Sequence, residues 1–466
     1  MSHITIIKDL KAVYSTHDDS YSRGLTDIEI KGNRISRIGT GLSSPDAHII
    51  SAKNCVALPG LANTHHHFFQ ALTRAVPLMQ NMPLFQWLTH HYPIWEGLTG
   101  EAVYWASLAV VGELLLTGCT LTTDHHYLFP RERSADLIGK EIRAAQTLGI
   151  RFVATRGSMS MGKSSGGLPP DSITQTEEQI LSDSARLIET YHDPSRDSMQ
   201  RIALAPCSPF SVSESLMLET AELARHHHVR LHTHLAETLD EQDYCLQRFG
   251  CRPVELMRKL GWLGEDVWFA HCVHLNDEEI RLFAETGSGV AHCPSSNMRL
   301  GSGIAPVAEL IAAGAQVALA VDGSASNDSS DMLGELRQAL LLQRVLKGPS
   351  AMSVKDTLTI ASSNGYAMLG FPGEGLLSPG SLADIAIFAV DSIDYAGVHD
   401  PVAGLVMAGD RHRAKHVFVD GKLVVEDGRL CGMNETDITT STQTVAEKLV
   451  QLAFEKTGKN YFACSK

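Results

Sequence analysis

The chain has 466 residues, 44% hydrophobic and 20% charged, a balance that suits a large globular core and excludes a mainly disordered chain. Its net charge of −14 repels phosphate backbones and anionic lipid, and no run of ~18 apolar residues offers a membrane span, so neither nucleic acid nor membrane is expected as a partner. Nine cysteines without a CxxC pair fit reduced thiols and exclude a structural zinc ribbon, whereas 22 histidines, several of them clustered, point to a transition-metal site.

The opening run Met1 to Lys8 carries no basic flank, long apolar stretch or cleavage site, which makes the cytoplasm the expected location. From Ile4 to Leu58, short β-branched runs at 4–7, 27–30, 35–38 and 47–50 alternate with turn signals such as Lys31-Gly32-Asn33. The same texture returns at 383–388, 414–419 and 422–425, the last two joined by Asp420-Gly421. The two ends are therefore expected to form one small β-sandwich domain, residues 1–58 plus 378–435. Between them, apolar strands alternate with helical stretches, with strands predicted at 57–67, 119–124, 151–157, 201–207, 229–237, 267–272, 289–294 and 317–323. Eight such units over residues 59–377 predict an α/β fold, a (β/α)8 TIM-like catalytic barrel. Ser213 and Asn276 mark helix starts for 213–226 and 276–286. Residues 436–466 read as a closing helix, 444–455, with a polar tail.

In such a barrel the chemistry lies where the strands end at their C-terminal face. Strand one ends in His65-x-His67, and because side chains alternate along a strand these two point the same way. Strand five ends in His234-Leu235-Ala236-Glu237, strand six in His271, strand seven in His292-Cys293-Pro294 and strand eight in Asp322. His65, His67, His234 and Asp322 converging near the barrel axis make an N3O donor set for one divalent first-row metal. A lone HxH, or an Asp before Gly, says little. All four at the ends of the right strands say more, because without a metal each buried group would need its own hydrogen-bond partners. His226-His227-His228 reads instead as a solvated helix C-terminus, where cations suit the dipole. His90, His91, His125, His126, Cys245 and Cys251 read as packing or surface residues.

The run from Leu58 to His67, together with His234-Leu235-Ala236-Glu237, Ala270-His271-Cys272, His292-Cys293-Pro294 and Val321 to Asp328, resembles the amidohydrolase superfamily. The likeness is strongest to its 8-oxoguanine deaminase branch, through Leu72-Thr73-Arg74-Ala75, Arg156-Gly157-Ser158-Met159-Ser160, Gly167 to Ser172, Ala205 to Ser211 and Gln338 to Val345. It spans nearly the whole chain. It implies a barrel with a flanking sandwich from both termini, a metal held by His65, His67, His234 and Asp322, and a homodimer or larger homo-oligomer. One metal is implied rather than two, since strand four lacks the Lys that bridges two ions in binuclear relatives. The metal expected is Zn2+, with Fe2+ as the alternative.

The resemblance also assigns catalytic roles. Asp322 would take a proton from the attacking water, His271 would hold that water or polarise the oxyanion, and Glu237 would protonate the ring nitrogen beside the amino-bearing carbon. For 8-oxoguanine the products would be urate and ammonia. A hydroxyatrazine-type triazine aminohydrolase and a pterin or guanine deaminase are the enzyme alternatives. A non-catalytic metal-binding protein would have no use for Glu237 and His271. The substrate would be a small planar heterocycle, with Gln70 pairing to a lactam edge, Trp87 stacking, and Arg156 and Cys207 at the pocket rim.

Overall fold

The computed structural model describes residues 4–14, 22–131, 136–408 and 413–463, so the expectations for Met1, Ser2, His3 and Cys464 lie outside the described residues. The N-terminal segment supplies strands β1 (Ile4–Val13), β2 (Ser22–Lys31), β3 (Arg34–Gly39), β4 (His48–Ser51) and β5 (Cys55–Pro59). The barrel strands follow: β6 (Leu61–Asn63), β7 (Cys119–His126), β8 (Arg151–Ser158), β9 (Gln200–Pro206), β10 (Arg230–Leu235), β11 (Val267–His271), β12 (Gly289–His292) and β13 (Gln316–Leu319). The C-terminal segment adds β14 (Ile385–Ala389), β15 (His416–Val419), β16 (Lys422–Glu426) and β17 (Arg429–Leu430).

The two ends of the chain meet in one nine-stranded sheet, ordered β17-β16-β15-β14-β5-β1-β2-β3 with β4 paired to β1. The link between them is antiparallel: Ile385 to Ala389 of β14 lies against Pro59 to Cys55 of β5. Irregularities in β1 around Leu10 bend the sheet, and Ile7, Leu10, Val13, Ile28, Ile35, Ile387 and Phe418 form a core within it.

The eight barrel strands pair in parallel and in sequence order from β6 to β13. Beyond the last regular ladder, Thr64 N–H donates to Leu319 O at 3.2 Å and Asp322 N–H to His65 O at 3.1 Å, so the first and eighth strands also meet. Ala62, Leu121, Val153, Ala203, Trp268, Ala291 and Ala318 point into the barrel, and the short helix Ser363–Met368 brings Tyr366 and Met368 into the same cluster. Small side chains dominate that layer because eight strands leave room for little more.

The sequence suggests one strand over 57–67, but the chain turns at Gly60 from the terminal sheet into the barrel. A Cβ at Gly60 would lie 1.9 Å from Thr120 Oγ1, so only glycine lets β5 and β6 approach β7 this closely. The closing helix is longer than expected, Glu435–Thr457 rather than 444–455. Its first turns hold five threonines, poor helix formers, and are held by the Asn434 cap and by packing of Ile438. The capped starts at Ser213 and Asn276 stand as expected, the second as a full capping box with Glu279. The eight described cysteines are free thiols, and among the described residues no helix is long and apolar enough to cross a membrane.

Gly60→Ala is expected to destabilise the protein by ~1–3 kcal/mol through this clash, measured by chemical denaturation with the m-value unchanged. A loss below ~0.5 kcal/mol would show that the pivot does not need glycine.

Candidate active site

His65 and His67 follow β6, His234 lies in β10, Glu237 follows it, His271 ends β11, and Asp322 stands three residues past β13. All are buried. The backbone at these strand ends is unusual: Ala236, His271 and Asp322 adopt left-handed φ of 51°, 72° and 64°. Non-glycine residues reach that region at a cost and cluster at functional sites.

Hydrogen bonds on the outer ring nitrogens set how the imidazoles face inward. His67 Nδ1 donates to His125 O at 2.8 Å and His234 Nδ1 to Cys207 O at 2.6 Å. His65 Nδ1 lies 2.7 Å from His232 Nε2, and His232 Nδ1 in turn donates to Trp268 O at 2.9 Å. With each Nδ1 proton committed outward, Nε2 of His65, His67 and His234 carries a lone pair into the barrel. Burial lowers the pKa of all three rings, which keeps them neutral.

These lone pairs converge on one carboxylate. His65 Nε2 and His67 Nε2 each lie 3.3 Å from Asp322 Oδ1, and His67 Nε2 lies 3.1 Å from His234 Nε2. Ser296 Oγ and Ser326 Oγ donate to Asp322 Oδ2 at 2.5 and 3.0 Å. Two nitrogens with lone pairs facing each other need a shared partner, and His65 Nε2 is a fully buried acceptor with no hydrogen-bond partner. Three neutral imidazoles and a carboxylate with these orphaned lone pairs fit a divalent cation.

His271 differs from the other rings. Its Nδ1 pairs with Asn297 Oδ1 at 2.9 Å, while Nε2 faces Glu237 Oε2 at 3.7 Å and Asp322 Oδ2 at 4.0 Å. Burial would lower its pKa, but the Glu237 and Asp322 carboxylates and the Asn297 bond outweigh burial and raise it, in contrast to the three rings above. Burial pushes Glu237 up to about 7 against the pull of His271. Glu241 fixes the turn that presents Glu237, accepting from the N–H groups of Ala236 and Glu237 at 2.8 and 2.9 Å.

A cavity opens above this group, walled by Gln70, Trp87, Tyr92, Tyr127, Cys207 and Phe210 and floored by His67, His234, Glu237, His271 and Asp322. Gln70, Trp87 and Cys207 are thus brought together. Arg156 is not: its guanidinium is buried over the Phe129 ring and held by Asp183, Gln175 and Gly157 O, outside the cavity wall. His226, His227 and His228 lie at the C-terminal end of their helix, His226 and His228 exposed, as expected. His125, expected as a packing or surface residue, instead lines the site, and His232, Tyr127 and Asn297 join it without having been singled out in the sequence. His232-Thr233-His234 repeats the HxH spacing of strand one, which was the available signal for His232. His125 alternates inward on β7 and stacks on His234 with ring centroids 4.6 Å apart.

Comparison with known proteins agrees with this geometry. Residues 56–424 match the Amidohydrolase family. The chain belongs to that family. It is similar to an 8-oxoguanine deaminase from Pseudomonas aeruginosa, 45% identical over 96% of this chain and 99% of that protein. An isoxanthopterin deaminase from an unknown prokaryotic organism is 34% identical over 96% of this chain and 97% of its own length. Among solved structures, an atrazine chlorohydrolase from Arthrobacter aurescens TC1 complexed with zinc superimposes with a TM-score of 0.91. It is 35% identical and covers 95% of this chain and 100% of its own. This member of the amidohydrolase family is a hydrolase acting on carbon–nitrogen bonds other than peptide bonds.

If the four inward groups hold a metal, His67→Ala and His234→Ala each deplete it on purification, as read by elemental analysis, because each removes one of few direct donors. His271→Asn, which removes no donor, retains it. Full metal occupancy in His67→Ala contradicts the donor set.

Proposed function

We propose that this chain is a metal-dependent hydrolytic deaminase of an amino-substituted heterocycle, and that its substrate is 8-oxoguanine, converted with water to urate and ammonia. The observation that carries the chemistry is the juxtaposition of Glu237, whose carboxyl burial raises to about 7, and His271, 3.7 Å from it, beside the converging His65, His67, His234 and Asp322. The similarity to the Pseudomonas aeruginosa enzyme supports the substrate.

His65, His67, His234 and Asp322 would hold one Zn2+, which supplies a water of pKa near ~7 and hence a nucleophile at neutral pH. Asp322, acceptor to two serine hydroxyls, takes the proton of the attacking water. Glu237 gives its proton to the ring nitrogen next to the amino-bearing carbon, which makes that carbon electrophilic. The His271 Nε2–H donates to the attacking oxygen as the amino-bearing carbon becomes tetrahedral, with Asn297 bracing the opposite ring nitrogen. The proton on Asp322 then passes to the amine, the C–N bond breaks to release ammonia, and the remaining hydroxyl proton returns to Glu237 as the new carbonyl of urate forms. Gln70 offers its amide to the lactam edge, Trp87 and Tyr127 bound the plane of the ring, and Cys207 closes the far wall. Burial pushes the Cys207 thiol up to about 12, so it acts there as a neutral contact rather than a nucleophile.

Glu237→Gln is expected to retain metal and lose ~10²–10⁴-fold in kcat, since the amide keeps the shape but cannot deliver a proton. Parent-like turnover in that variant would overturn the assigned role. The substrate is tested by kcat/KM for 8-oxoguanine, guanine, isoxanthopterin and hydroxyatrazine on one metal-replete preparation. An 8-oxo group turns the N7 edge from acceptor to donor, so a site built for it disfavours guanine strongly. Preference for guanine, isoxanthopterin or hydroxyatrazine would replace the substrate while leaving the deamination chemistry standing.

A further inference from the structure

On β7, side chains alternate between the barrel interior and the surrounding helices, and Asp124 and His126 point outward, away from the catalytic cavity. They meet Glu141 of the helix Leu137–Leu148, whose buried face otherwise consists of Leu137, Ile138, Ile142, Ala144, Ala145 and Leu148. All three ionisable groups are inaccessible to solvent. Asp124 Oδ2, His126 Nδ1 and both Glu141 oxygens find no hydrogen-bond partner outside the trio among the described residues. A glutamate in the middle of an apolar helix face, opposite an aspartate and a histidine, is costly unless each group satisfies another.

The distances say how they do so. His126 Nε2 donates to Leu128 O at 2.9 Å, which leaves Nδ1 as the free ring nitrogen. Glu141 Oε1 lies 2.6 Å from that Nδ1, too close for two bare acceptors and right for a hydrogen bond with a proton between them. One oxygen or nitrogen of each of Asp124, His126 and Glu141 lies within 4.8 Å of the others, and two buried carboxyl groups this close are satisfied by a proton held between them, in keeping with the raised pKa of both. Two shared protons among one imidazole and two carboxylates make the cluster electrically neutral, the state an apolar core tolerates. Burial raises Glu141 to about 8 in keeping with that neutrality. A metal ion fits less well, because ligand atoms 2.6 Å apart leave little room for a cation at ~2.1 Å from each.

The other carboxylate oxygen reaches the site. Asp124 Oδ1 accepts from the Phe68 N–H at 2.5 Å, and Phe68 directly follows His67. His67 Nδ1 and the His66 carbonyl are bound on the same stretch of β7, to His125 O and His125 N–H. We propose that Asp124, Glu141 and His126 form a proton-sharing positioning triad that fixes the Phe68 amide and thereby the inward aim of His67. This rests on the metal assignment above, since its effect is read at His67. Asp124, Glu141 and His126 touch neither substrate nor metal; they act through the backbone that carries the ligand. Supporting groups of this kind commonly change metal affinity ~10–100-fold when removed.

The test is metal affinity by chelator competition on full-length protein, with thermal stability measured in parallel. Glu141→Leu, which fills the space without hydrogen bonds, is expected to weaken metal binding ~10–100-fold. Glu141→Gln, which can donate to His126 Nδ1 and accept from Asp124, is expected to restore it to within about threefold. Ile138→Ala on the same helix provides a control of comparable instability and leaves affinity unchanged. If Glu141→Leu fails to fold, His126→Phe keeps the ring volume beside Phe69 and Phe129 and gives the same reading. Equal affinity losses in Glu141→Leu and Ile138→Ala, or no rescue by Gln, would overturn the triad. A second metal equivalent that disappears in Glu141→Leu would overturn it in favour of a metal site. His67→Ala run alongside separates the two claims: if it keeps its metal, the metal assignment fails rather than the triad.

Discussion

The seam between the first and eighth barrel strands is the constraint on which the site depends. The hydrogen bond from Asp322 N–H to His65 O fixes the carboxylate against the two histidines of strand one. No ladder of regular strand reaches that far, because β6 ends at Asn63 and β13 at Leu319. The last contact is made by residues already leaving the sheet, and Asp322 accordingly sits in a left-handed conformation. Its two serine donors and the Gly323 N–H, 2.6 Å from Oδ1, then hold the carboxylate where the chain would not hold it by itself. A slip at this seam would move Asp322 away from His65 and His67 while leaving each strand intact.

Around that seam the barrel converts backbone carbonyls into control of imidazole tautomers. The carbonyls of His125 and Cys207 take one Nδ1 proton each, and His232 passes the same constraint from Trp268 to His65. Neighbouring strands thus determine which nitrogen of each ring faces inward. The ring that escapes this pattern, His271, is braced by the Asn297 side chain and faces two carboxylates, which raise its pKa where burial lowers that of the others. Six inward histidines, His65, His67, His125, His232, His234 and His271, are therefore set in orientation by their hydrogen-bond partners.

Much of this is legible in the sequence because the period-two strands and their polar ends are local. His65-x-His67, His234, Glu237, His271 and Asp322 each follow an apolar run, and the strand count then brings them together. Gly60 is legible but outweighed: Pro59-Gly60 is a turn signal, yet it sits in a run from Cys55 to Ala62 with no polar residue, which reads as one continuous strand. The partner of Arg156 is equally hidden, since Asp183 lies 27 residues away on a helix. Asp124 and Glu141 look like ordinary acids until β7 and its following helix are packed face to face. The threonine-rich start of the last helix is set by its cap and its contacts rather than by propensity.

The most direct measurement is anomalous diffraction at the zinc edge from crystals of the metal-replete protein. The expected result is one peak per chain, at ~2.0–2.2 Å from Nε2 of His65, His67 and His234 and from the Asp322 carboxylate. Two peaks, or a single peak bound without Asp322, would contradict the account.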